Sequence, residues 1–128
     1  MVWYLDTSAF LKLITFEEES SAMRQWFSSH DSVWSSQLLH TEAMRVSLRL
    51  GIDVPRVEDA LDTISLVLPR VTTFYAAGRR TPDSLQSLDA LHLATAIEIG
   101  GDLRGMVVYD ERLIEAARQL AIDTVTPR

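Results

Sequence analysis

The 128-residue sequence contains no cysteine, and that absence removes several chemistries at once. Disulfides, thiolate nucleophiles, Cys-ligated zinc and iron–sulfur clusters are all excluded. Lysine is almost as scarce: Lys12 is the single example, so the basic side of the charge balance is nearly all arginine. No apolar run approaches the ~18–20 residues that a membrane span needs. Residues 1–5 lack the basic stretch of a secretory leader, so a cytoplasmic protein without membrane association is the expectation. Three scattered histidines, His30, His40 and His92, show no metal-ligand spacing, and packing or surface roles are expected for His40 and His92. The net charge of −6 argues against broad, non-specific nucleic-acid binding through phosphate contacts.

What is present is a chain with 47% apolar residues, enough to bury a core as one domain over residues 1–128. No repeat, low-complexity segment or Gly/Pro/Ser-rich linker divides it. Strand-like and helix-like patterns alternate. A strand over 2–6 precedes helical sequence over 7–15. Glu17, Glu18 and Glu19 suit the first turn of a second helix ending near His30, because acids there favour the helix dipole. A short strand over 32–35 is followed by a helix over 37–50 that stops at Gly51. Pro55 opens a helix through Leu68, and 71–73 reads as a third strand. A short helix and loop fill 74–86. The helix over 88–99 ends at Gly100 and Gly101, a strand over 106–110 leads into a helix over 111–121, and 124–126 adds an edge strand. Such alternation implies an α/β fold with a parallel sheet of four to five strands flanked by helices on both faces.

Two apolar runs end on aspartate: Val2-Trp3-Tyr4-Leu5 runs into Asp6, and Met106-Val107-Val108-Tyr109 into Asp110. In open α/β sheets the ligand crevice lies beyond the carboxyl ends of the strands, so both acids are expected at that edge. Either could instead cap the helix that follows, although Thr7 and Ser8 could do that for Asp6 without a charge. Glu42 falls in register with Leu38 and Val46, which puts a carboxylate on an apolar helix face, where a lone acid is rarely left without a partner or a metal. Asp89 begins a helix whose polar residues Asp89, His92, Thr95 and Glu98 share no single face, since steps of three drift by ~60° each. Four convergent carboxylates would repel one another unless a cation joined them. Oxygen-only ligands point to a hard ion, Mg²⁺ or Mn²⁺, and such an ion with phosphate oxygens completing its shell points to phosphodiester hydrolysis. Without the ion, crowding should raise the pKa of at least one acid. Arg45, Arg49, Arg79, Arg80, Arg104 and Arg112 could form a local basic rim for a phosphate backbone.

The segments 2–10 (VWYLDTSAF), 88–96 (LDALHLATA) and 107–113 (VVYDERL), with Glu42 in LLHTEAMR, resemble the signatures of PIN-domain ribonucleases, and above all the VapC-type toxins of bacterial toxin–antitoxin pairs. The resemblance spans the whole chain. It implies a single PIN-like domain, an acidic site of Asp6, Glu42, Asp89 and Asp110 with Asp6, Asp89 and Asp110 on the metal, and Ser8, beside Thr7, as a supporting hydroxyl. It further implies an RNA substrate, a homodimer, and a small cognate antitoxin, with Arg45, Arg79, Arg80 and Arg112 as candidate RNA or antitoxin contacts. One departure stands out. The family usually has Thr or Ser two residues before the last acid, and Val108 occupies that place, which puts the placement of Asp110 in question.

Other acid-bearing α/β folds fit less well. A phosphoreceiver domain needs adjacent acids after its first strand and a late lysine, and an aspartyl phosphatase needs D-x-D where Ser8 stands. No glycine-rich phosphate loop exists. The remaining alternative is a catalytically weak or inactive PIN-like module that binds RNA or protein without cutting.

Overall fold

The computed structural model describes all 128 residues. Five parallel strands form one sheet: β1 (Val2–Leu5), β2 (Val33–Ser36), β3 (Ser65–Val67), β4 (Leu103–Val107) and β5 (Thr124–Val125). Their order is β3-β2-β1-β4-β5, so β1 is central. The chain winds outward from β1 to β3, then returns to the other side of β1 for β4 and β5. This places the topological switch point between β1 and β4, where ligands gather in doubly wound sheets.

Seven helices connect and cover the strands: α1 (Thr7–Ile14), α2 (Ser20–Ser28), α3 (Leu38–Leu50), α4 (Val54–Leu61), α5 (Val71–Arg79), α6 (Ser87–Glu98) and α7 (Glu111–Gln119). The alternation of side chains along a strand, with period two, explains how two cores share one sheet. Leu5, Val33 and Val107 point to one face and pack with Phe10 and Ile14 of α1, Met23 of α2, Leu39 of α3 and Val57 of α4. Tyr4 and Met106 point to the other face, with Leu93 of α6 and Leu113, Ala116 and Ala117 of α7. Helices therefore cover both faces, as the alternating pattern implies.

Several boundaries differ from the sequence expectations. The third strand is 65–67, paired in register with Trp34, Ser35 and Ser36 of β2, and the expected strand at 71–73 is instead the first turn of α5. β-Branched residues favour strands only weakly against context. Here the Thr73 side chain accepts a hydrogen bond from the Arg70 backbone at 3.0 Å, which closes a helical turn. The helix opened by Pro55 accordingly stops at Leu61, short of Leu68. Glu17 and Glu19 precede α2 rather than forming its first turn, and both pair with Lys12, at 2.7 and 3.0 Å. The chain's one ammonium thus outcompetes the helix dipole for them. Strand β4 spans 103–107, three residues earlier than 106–110, although Val108 still donates to the Val125 carbonyl at 3.1 Å. Gly51 closes α3 in the left-handed region at φ 70°, as expected of a helix-ending glycine.

Gly105 in β4 has no room for a side chain. A Cβ there would lie 2.7 Å from the Asp123 carbonyl oxygen and 2.8 Å from the Trp3 ring. Overpacking of this kind typically costs about 1–3 kcal/mol. Gly105→Ala should lower the unfolding free energy by that amount, seen as a lower urea midpoint, and shift the Trp3 fluorescence; equilibrium unfolding followed at both far-UV and tryptophan wavelengths checks it.

Candidate active site

Asp6 lies one residue past the carboxyl end of β1 and is 2% exposed. Its carboxylate caps α1, accepting from the Ala9 backbone N–H at 3.1 Å. It also accepts from the Ser8 hydroxyl, 2.7 and 2.9 Å from its two oxygens. The carboxylate therefore caps the helix and holds the Ser8 hydroxyl at once. The same Ser8 oxygen accepts from the Tyr109 backbone N–H at 2.9 Å. One hydroxyl thus ties the end of β1 to the segment that carries Asp110, across the switch point.

Asp110 is exposed and caps α7, accepting from Leu113 N–H at 3.0 Å. Val108 is fully buried among Tyr4, Leu93 and Leu113, so the position where the family usually places a hydroxyl points here into the core. The tie from Ser8, together with the Thr126 hydroxyl donating to the Val108 carbonyl at 2.8 Å and the Tyr109 phenol donating to the Pro127 carbonyl at 2.7 Å, holds this stretch.

Glu42 and Asp89 line a cleft of about 650 Å³ together with Leu85, Gln86, Ser87 and Leu88. Glu42 projects from α3, where Thr7 donates to its Oε1 at 2.8 Å. Asp89 is half-buried in the first turn of α6. It is raised above the usual carboxylate range, first by burial and then by the negative charge of Asp110, with Glu42 adding to the effect and His92 and Arg112 opposing it. Asp6 is pushed up to about 6, again mainly by burial, with Asp89 contributing and Ser8 and His92 opposing. Asp89 is thus raised by Asp110 and Glu42 and itself raises Asp6, which links the four acids electrostatically. The expected rise is present, but its largest cause is removal from water rather than crowding. No three Asp, Glu or His side chains converge tightly enough to enclose a metal ion by themselves.

His92 is packed in the core, one of the two roles expected of it, but its polar contacts were not foreseen. It is 1% exposed, and its Nε2 lies 2.6 Å from Glu42 Oε1 and 3.2 Å from Thr7 Oγ1, while its Nδ1 lies 2.8 Å from the Tyr4 hydroxyl. The available signal was its spacing of three from Asp89, which puts both on neighbouring parts of one helix surface. The polar residues of α6 share no face because each serves a different partner. Asp89 meets the cleft, His92 meets Glu42, Thr95 bonds back to the Leu91 carbonyl, and Glu98 accepts from Thr73 of α5.

Among the arginines, Arg45, Arg79, Arg80 and Arg112 are exposed and none is engaged in an ion pair. Arg112 acts electrostatically on Asp89. Arg79 stacks on Tyr75, 4.2 Å from the ring centroid, and borders a second cleft of about 540 Å³ that shares Leu85 and Ser87 with the first. Arg104 lies elsewhere, paired with Asp123 at 3.1 Å.

A buried carboxylate with a raised pKa has a definite consequence for stability. Between the ordinary value of 3.8 and about 6, the folded protein keeps a proton on Asp6 that the unfolded chain has lost, so stability falls as pH rises through that window and stays lower above it. A shift of this size corresponds to about 3 kcal/mol at most. Asp6→Asn should therefore be more stable than the parent at pH 7.5 in EDTA and nearly equal to it at pH 4. Urea unfolding at the two pH values measures this.

The PIN domain family model matches residues 3–119. Ribonuclease VapC46 of Mycobacterium tuberculosis (strain H37Rv) is 36% identical, across 97% of this chain and 96% of that protein. Ribonuclease VapC47 of Mycobacterium tuberculosis (strain CDC 1551) is 35% identical over the same shares. Among solved structures, Mycobacterium tuberculosis VapC20, described as a sarcin-ricin loop cleaving toxin, superposes with a TM-score of 0.78 at 14% identity, covering 98% of this chain and 99% of that one. A toxin–antitoxin complex from Klebsiella pneumoniae gives 0.74 at 18% identity, covering 100% and 98%.

Proposed function

The chain belongs to the PIN-domain family, among its VapC-type ribonucleases, and on that premise we propose that it is a divalent-metal-dependent endoribonuclease acting through Asp6, Glu42, Asp89 and Asp110. The observation that carries the reading is the placement of Asp89, which lines the cleft with Glu42 and shares one electrostatic field with Asp6, Glu42 and Asp110 at the switch point.

The donor set fits a hard cation. Every candidate ligand offers oxygen, and the group holds two carboxylates above their usual range with only the charges of His92 and Arg112 opposing. Mg²⁺ ordinarily takes one or two protein carboxylates and keeps several waters, so a site without a closed three-carboxylate cage is compatible with it. Asp6, Asp89 and Asp110 are the acids that would hold the ion, one or two directly and the rest through its waters, and it would supply Lewis-acid activation of a water and neutralise charge on the phosphate. Ser8 orients Asp6, and Thr7 orients Glu42. The Glu42 oxygen not engaged by Thr7 can orient the attacking water and take its proton. Arg112, with the exposed Arg45, Arg79 and Arg80, supplies positive charge for the RNA backbone despite the net charge of −6. The exposed arginine rim also suits a small cognate antitoxin with acidic groups, and a homodimer in the cytoplasm is part of the same reading.

Cleavage of mixed tRNA and rRNA should require Mg²⁺ or Mn²⁺ and stop with EDTA. Asp89→Asn should cut at least about 100-fold more slowly, on the scale of losing one preorganised charge in an active site. A parent that binds Mn²⁺ by calorimetry yet leaves all these RNAs intact would favour the non-cutting module instead.

Asp110 separates its two duties cleanly. Asn caps helices about as well as Asp, so Asp110→Asn should keep its melting temperature while losing activity. Asp110→Ala should lose activity and about 1 kcal/mol of stability as well.

A further inference from the structure

We infer that the buried pair Tyr4 and His92 is a positioning relay that fixes Glu42 for catalysis, a role that rests on the ribonuclease reading above. Hydrogen-bond accounting supports it. An ionised carboxylate only accepts, so the 2.6 Å contact between Glu42 Oε1 and His92 Nε2 requires the proton to be on Nε2. In neutral imidazole Nδ1 is then an acceptor, and the Tyr4 hydroxyl at 2.8 Å must donate to it. Were the ring charged, Nδ1 would donate to the phenol oxygen instead, and the bond to Glu42 would be unchanged. The contact to Glu42 is thus the same in both states.

Thr7 donates to the same Oε1 at 2.8 Å. Two donors from the protein wall therefore converge on one oxygen of Glu42, and Oε2 has no protein partner although Glu42 lines the cleft. The arrangement divides the carboxylate into an anchored oxygen and a working one. Burial makes the anchor stiff. Tyr4 and His92 are 0% and 1% exposed, and their rings meet edge to face with centroids 5.9 Å apart. Tyr4 sits on the central strand and His92 on α6, so the orientation of Glu42 on α3 is set by three separate elements. A histidine serving only to fill the core would not need a carboxylate that faces a cleft.

The test separates a positioning role from packing. His92→Phe keeps a ring of similar size but no donor, whereas His92→Gln keeps an N–H near the Nε2 position. With Mn²⁺ and mixed tRNA and rRNA, His92→Phe should lower kcat on the order of 10–100-fold, as removal of outer-shell partners of active-site groups commonly does, with KM nearly unchanged. His92→Gln should recover most of that loss, and Tyr4→Phe should fall between the parent and His92→Phe. Equal loss in the Phe and Gln variants, or no loss in either, would overturn the relay. A second readout needs no activity: in metal-free protein, ¹⁵N spectra should show the His92 proton on Nε2, protected from exchange and shifted when Glu42→Gln is introduced. A bare Nε2 would overturn the relay. If the parent cut no RNA, the ribonuclease reading would fail while these spectra still decided the hydrogen-bond relay by itself.

Discussion

The carboxyl edge of the sheet is organised around one costly arrangement, a carboxylate buried at the end of the central strand. Asp6 is shielded from water by the same strands and helices that make the core, and an isolated buried charge is expensive. The fold offsets that expense only in part, chiefly with the Ser8 hydroxyl and the Ala9 N–H. The rest is left as a raised pKa and an appetite for positive charge. A cation placed there would relieve the strain and stabilise the folded state at once.

The sheet order explains why the acids lie at one edge. Because β1 is central, its end lies beside that of β4, and the Ser8 hydroxyl spans the two through Asp6 and Tyr109. The helices then bring in acids from elsewhere, Glu42 through α3 on one face and Asp89 through α6 on the other. Asp6 and Asp110 each cap a helix as well as contributing charge beside the cleft, so the atoms that set local geometry are the ones that carry the charge.

Much of this was legible in the residues. Apolar runs ending on aspartate marked β1 and the region of β4, and Glu42 in register with Leu38 and Val46 marked an acid on an inward helix face. What failed did so for non-local reasons. The β-branched run at 71–73 became helical because Thr73 closes a turn with Arg70, and 65–67 became a strand because β2 offers it a partner. His92 looked like a core residue, and it is one. Its partners come from β1, α1 and α3, and the one hint within α6 was its spacing of three from Asp89. Val108 looked like a defect of the site, yet its side chain belongs to the core behind it.

The tie between Ser8 and Tyr109 joins residues 101 positions apart. Nothing made earlier on the ribosome can substitute for it, because β4 must emerge and slot in beside a strand synthesised at the very start. Long-range parallel pairings of this sort form late. A growing chain therefore carries Asp6, Glu42 and then Asp89 without the segment that completes the acidic group, and every truncated product of interrupted translation lacks it too. Topology itself delays the moment at which the four acids first stand in one folded chain.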